Sequence, residues 1–156
     1  ATTFHTAARL LENGADKNLI QAHFWENTSK KKVRILEHLF GNITYLLDDS
    51  AAYSVFSLET QQALDVSTLD LEGIVAMIKE IEGVEVAVLF TEMPDGSCKI
   101  SLRSRDWFDC NRCASVFGGG GHVRASGATL TRPLAEAVEA VLAEITQEWE
   151  EAHHAE

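Results

Sequence analysis

The sequence predicts an α/β fold of the α+β type: a mixed, partly antiparallel sheet flanked by helices and preceded by a helical segment. Three observations predict it. The first forty residues carry apolar groups at helical spacing, Val84 to Thr91 is rich in β-branched residues, and Met93-Pro94-Asp95-Gly96 marks a hairpin between that run and an alternating one. The element order divides the chain into residues 1–41, a helical linker, and residues 42–156, a mixed domain.

In the helical segment, Ala7, Ala8, Leu10 and Leu11 cluster, and Asn13-Gly14 ends the run. Asp16 can cap a second helix reaching about Trp25. Thr28 or Ser29 can cap a third, with Val33, Leu36, Leu39 and Phe40 as its apolar stripe. Lys30, Lys31 and Lys32 oppose the helix dipole at its start and read as a solvated face.

Ile43 to Leu47 reads as a short strand followed by an Asp48-Asp49-Ser50 turn, and Ser57 to Leu64 as a helix. Leu71, Ile74, Val75, Ile78 and Ile81 repeat at three and four, which predicts a helix over 69–81. Beyond the hairpin, Cys98 to Arg103 alternates, placing Ile100 and Leu102 on one face and Ser101 and Arg103 on the other. Asp109 to Val116 reads as a short helix, Phe117 to His122 as a loop, Ala125 to Leu130 as a strand, and Pro133 to about Glu151 as a long amphipathic helix.

The net charge of −11 argues against a broad basic surface for duplex DNA. A polyanionic ligand must then meet a local positive cluster. The acidity otherwise reads as solvation. No apolar run approaches a membrane span and no basic-then-apolar leader opens the chain, so a cytoplasmic setting without membrane partners is expected. Cys98, Cys110 and Cys113 do not suggest a disulfide framework. Cys110-x-x-Cys113 lacks a second ligand pair for zinc and reads as reduced cysteines partly in a core.

The stretch from Phe117 to Ala128 holds four consecutive glycines, Gly118, Gly119, Gly120 and Gly121. Without side chains their N–H groups can approach a phosphate as an anion-binding nest. His122 stands at its mouth, able to donate to a phosphate oxygen or stack on a base. Ser101-Leu102-Arg103-Ser104-Arg105 adds guanidinium forks suited to phosphate, with Arg105 and Arg124 as secondary candidates.

The run SLRS at 101–104, a short helix, and then FGGGGH-x-x-A-S-G at 117–127 resemble the DHHA1 domain of DHH-family phosphoesterases. The branch it resembles contains oligoribonuclease/phosphoadenosine-phosphate (pAp) phosphatases and cyclic-dinucleotide phosphodiesterases. Glu82–Leu89, Leu71–Val75 and Leu10–Asp16 support the resemblance. It implies a substrate-binding lobe that faces a catalytic DHH lobe holding two divalent metals, usually manganese. It implies substrate contacts at Arg103, Ser104, Gly118, Gly119, Gly120, Gly121, His122 and Ser126. No Asp-His-His occurs in the chain. The expectation is therefore a C-terminal part of a longer enzyme, without catalytic residues or metal of its own and inactive alone. Its ligand would be a nucleotide or short single-stranded RNA or DNA. A homodimer is a further partner expectation. A non-catalytic nucleotide- or RNA-binding module, and a scaffold pairing through its last helix, remain as alternatives.

Overall fold

The computed structural model describes residues 1–26 and 28–153; the last three residues of the second expected domain lie outside that range. Three helices come first: α1 (Thr2–Glu12), α2 (Lys17–Trp25) and α3 (Lys30–Gly41). Asp16 caps α2 by accepting from the N–H groups of Asn18 and Leu19, and Ser29 caps α3 by accepting from Lys32 N–H. The stripe on α3 differs from the expected one. Ile35 and Leu39 are buried, whereas Val33 and Phe40 stay exposed at 54% and 48%. The two buried residues are one turn apart and dock on the sheet, so α3 shares the core of the following domain.

The strands are β1 (Thr44–Leu46), β2 (Ala51–Phe56), β3 (Val86–Glu92), β4 (Cys98–Ser104), β5 (Gly120–His122) and β6 (Ala125–Leu130). They form one open sheet in the order β1-β2-β3-β4-β6-β5. Only the β2–β3 pair is parallel. The crossover between these strands carries α4 (Leu58–Leu64) and α5 (Val75–Lys79); α6 (Cys110–Val116) and α7 (Leu134–His153) follow β4 and β6.

Alternation along the strands builds two cores. On one face Val86, Val88, Phe90, Ile100, Leu102, Ala128 and Leu130 pack with Cys110 and Cys113 of α6 and with Ala137, Val141 and Ile145 of α7. On the other, Ala52, Phe56, Ala87 and Leu89 pack with Ile35, Leu39, Val75 and Ile78. That second core stops at β3: it contains no residue of β4, β5 or β6. Among the described residues, the part of this face formed by β4, β5 and β6 therefore lies outside that core.

Three elements differ from the sequence reading. β2 was not anticipated. The helix expected over 69–81 is reduced to Val75–Lys79, because residues 67–74 form successive tight turns (Asp70 N–H to Ser67 O, Leu71 N–H to Thr68 O, Ile74 N–H to Leu71 O) and Gly73 has a φ of +77°. The loop expected over Phe117–His122 ends in the short strand β5.

One buried acid disturbs this packing. The Glu148 side chain on α7 is 5% exposed, and its nearest cation is Arg112, 3.8 Å away. Burial, aided by Glu144, Asp109 and Glu151, pushes its carboxyl up to about 7 against the opposing pull of Arg112. The folded chain thus keeps this proton where the unfolded chain, near the ordinary 4.5, has lost it. Its stabilising influence is complete below the unfolded value and is lost as pH rises through about 7. Glu148→Gln is expected to stabilise the fold by roughly 1–2 kcal/mol at pH 8, with most of that difference gone at pH 5. Urea melts of both proteins at the two pH values check this; equal differences would mean that ionisation is not responsible.

Candidate functional site

The part of the sheet face formed by β4, β5 and β6 is polar. Register places Arg103 of β4 opposite Ala125 of β6, and Ala125 opposite His122 of β5. The next row is Ser101, Gly127 and Gly120, and the next pairs Lys99 with Thr129. At about 4.8 Å per strand, Arg103 and His122 stand about 10 Å apart at Cα, on the same face and with only a methyl between them. Glycine and alanine make the centre of this floor flat, so a ligand can approach the backbone closely.

Beside the floor, against the turns that precede α5 and its first residue, lies a cavity of about 290 Å³. Leu71, Val75 and Leu89 form its apolar wall, and Lys99, Ser101 and Arg103 its polar side. Arg103 is half-buried, and one of its N–H groups donates to Leu102 O at 2.8 Å. The ion pairs among the described residues are Lys31–Asp70 and Arg112 with Glu148 and Glu151. Arg103 and Lys99 therefore carry positive charge that no carboxylate neutralises by contact, in a chain of net charge −11. His122 is exposed, and its ring has no hydrogen-bond partner among the described residues.

The other expected contacts are arranged differently. Ser104 is buried, and its hydroxyl donates to Phe108 O at 2.7 Å. The Ser126 hydroxyl, also buried, donates to His122 O at 2.7 Å and so steadies β5 from below. Register puts both residues on the face opposite Arg103. Arg105 lies beyond the end of β4, and its guanidinium donates to Lys79 O and Ile81 O, so it ties down the end of α5 instead of sharing the floor with Arg103. Arg124 donates to Phe108 O at 2.8 Å. These four polar groups hold the frame.

The glycine run is also more engaged than a free nest. Gly118 N–H donates to Ser115 O and Gly119 N–H to Ala114 O, closing the end of α6. Gly121 N–H donates to Asn111 Oδ1 at 2.9 Å. The amides of Gly118, Gly119 and Gly121 thus already have acceptors inside the protein. The run instead brings β5 hard against β6 and turns His122 onto the floor. Asn111, which fixes this bend, and Lys99 were missed as site residues. The alternation of β4 already placed Lys99 on the face of Arg103; nothing local marked Asn111.

The three thiols are fully buried. Burial pushes Cys98 up to about 11 and raises Cys110 and Cys113 as well. Among the described residues no group of three or more His, Cys, Asp or Glu side chains is placed to hold a metal ion. None of the described helices is long and apolar enough to cross a membrane.

Known proteins resemble the chain in sequence and in fold. The family model described as the DHHA1 domain matches residues 48–151. The bifunctional oligoribonuclease and PAP phosphatase NrnA of Thermus thermophilus is 39% identical over 80 residues, 51% of this chain and 24% of that protein. Its probable counterpart in Streptococcus mutans is 28% identical over 126 residues, 81% of this chain and 40% of that protein. The chain thus spans less than half the length of these curated relatives. The crystal structure of an exopolyphosphatase-related protein from Bacteroides fragilis superposes with a TM-score of 0.85 at 29% identity, covering 94% of this chain and 43% of that one. The C-Ala domain of Aquifex aeolicus alanyl-tRNA synthetase shares the fold at a TM-score of 0.50 and 16% identity, over 66% of this chain and 96% of that one. With two thirds of its length matched by that model, the chain belongs to the DHHA1 domain family.

Proposed function

We propose that the sheet face formed by β4, β5 and β6 binds a nucleotide, or the end of a short single-stranded RNA or DNA, by a phosphate held between Arg103 and His122. In this reading the chain is the substrate-binding lobe of a phosphoesterase that acts on short RNA, pAp or cyclic dinucleotides. A separate catalytic lobe would hold divalent metals, manganese being expected, and these would supply the hydrolytic chemistry. The observation that carries the reading is the Arg103–Ala125–His122 row on the part of the sheet face that lies outside the second core among the described residues. The names of the two curated relatives support it. A guanidinium stays protonated at any working pH and offers a planar fork to phosphate. The imidazole can donate from the other side.

The test is a calorimetric titration of this chain with adenosine monophosphates. Arg103→Ala is expected to weaken binding about tenfold to a hundredfold, as loss of a charged hydrogen bond does, and to lower the salt slope by about one. His122→Ala is expected to weaken it by a smaller factor, about threefold to tenfold. Unchanged affinity and salt slope in both variants would remove the phosphate from this row.

A further inference from the structure

We propose that the cleft between the start of α6 and the last turns of α7 binds the ammonium head of a primary alkylamine. Both helices pack on the sheet face opposite Arg103, so this site stands apart from the proposed nucleotide site and does not rest on that reading.

Trp107, Asp109, Arg112, Glu148, Glu151 and Ala152 line a cavity of about 350 Å³ there. Glu148 carries the argument. Its side chain is 5% exposed, and its Oε1 has no hydrogen-bond partner among the described residues. Burying an acceptor of this strength with nothing donating to it is costly, and an incoming donor would remove that cost. Arg112 does not meet it. Its Nε stands 3.8 Å from Glu148 Oε1, beyond hydrogen-bond reach, while its Nη2 donates to Glu151 Oε2 at 2.6 Å.

The rest of the lining suits a cation on a short apolar stem. With Glu148 ionised, the carboxylates of Asp109, Glu148 and Glu151 face the single guanidinium of Arg112, so the cavity is left with net negative charge. Trp107 is 40% exposed and adds an indole, the aromatic group that attracts cations most strongly. Its edge contact with the ring of His153, at 5.4 Å, helps to hold it in place. Among the described residues no three His, Cys, Asp or Glu side chains are placed to hold a metal ion. A quaternary cation has no N–H to give to Glu148 Oε1; a primary ammonium has three.

Binding and ionisation of Glu148 are linked. Asp109, Arg112 and Cys113 face it from α6, and Glu144 and Glu151 from its own helix. With its carboxyl pushed up to about 7, an ammonium that requires the carboxylate binds more tightly as pH rises.

The experiment is a calorimetric titration of this chain and its Glu148→Gln variant with n-butylamine at pH 6 and pH 8, at fixed salt. Butan-1-ol and tetramethylammonium are the comparison ligands. The parent is expected to bind butylamine about tenfold more tightly at pH 8 than at pH 6, following the ionised fraction of a group that titrates at about 7. Glu148→Gln is expected to weaken binding at pH 8 by about tenfold or more and to flatten the pH dependence. Because that variant is expected to be the more stable protein at pH 8, its loss of binding is not a loss of fold. Tetramethylammonium is expected to bind at least about tenfold more weakly than butylamine, and butan-1-ol weaker still. Equal affinity of parent and variant would mean that only the overall acidity of the chain attracts the amine, and would overturn the site. Equal binding of tetramethylammonium and butylamine, or no binding of butylamine by the parent, would overturn it as well.

Discussion

Gly119→Ala is expected to destabilise the fold by about 3 kcal/mol or more and to displace β5, whereas Gly120→Ala is expected to change stability by less than about 1 kcal/mol. The two residues are neighbours in the same glycine run, yet their surroundings differ. A Cβ on Gly119 would run into Gly127 O and Ala128 Cβ and come within 2.7 Å of Ala128 Cα. These are backbone or backbone-anchored atoms of β6, so relief requires moving one strand from the other. A Cβ on Gly120 meets only Asn111 Oδ1, at an ordinary 3.6 Å. Denaturant melts of the two variants provide the measurement. Equal losses would mean that the closeness of β6 is not what sets the cost at Gly119, since neither residue has a left-handed φ. A loss confined to Gly119 would mean that it is needed for closeness. Because β5 carries His122, the Gly119 variant should also lose nucleotide affinity under conditions where it remains folded.

Glu85→Ala is the second large effect, expected at about 3 kcal/mol in a urea melt. Glu85 is 7% exposed. Its carboxylate accepts from the N–H groups of Asp106 at 3.0 Å and of Trp107 and Phe108 at 2.9 Å. Three successive amides thus wrap one internal anion, a nest filled by the protein itself. Alanine would leave all three without that acceptor. Water can reach the exposed Asp106 and Trp107, but Phe108 is fully buried, and an unmet buried donor costs about 1–3 kcal/mol. The same turn is held through Phe108 O by Ser104 and Arg124, so the loss falls on the segment that links β4 to α6. A loss below about 1 kcal/mol would show that those two bonds suffice.

These two positions show where sequence reading reaches its limit. Much of the fold was legible because it rests on local signals: the caps at Asp16 and Ser29, the proline-glycine hairpin, the alternation of β4 and the period of α7. β2 was missed because Ala51, Ala52 and Ser54 are small or polar, and Ala51 and Ala52 owe their burial to elements distant in sequence, β3 beside them and the cores on either face. α5 was drawn too long because three-residue turns and a helix bury Leu71 and Ile74 equally well; only the positive φ of Gly73 separates them. At the candidate site, Arg103 and His122 were singled out by their residue types, and register puts them in one row. The partners of the other candidates were not legible. Whether a serine, an arginine or a glycine amide faces outward depends on carbonyls 3 to 26 residues away that already hold it. Local spacing carries no record of those acceptors.

The sealed cysteines give the molecule a record of its own movements. Cys98 opens the strand that carries Arg103, and Cys110 and Cys113 lie on the helix whose end is closed by the glycine run. With no sulfur surface exposed and each thiol held in its protonated form, an alkylating reagent finds no target while these elements are closed. Modification therefore clocks the opening of the strand and helix behind the proposed binding floor, residue by residue, against a silent background.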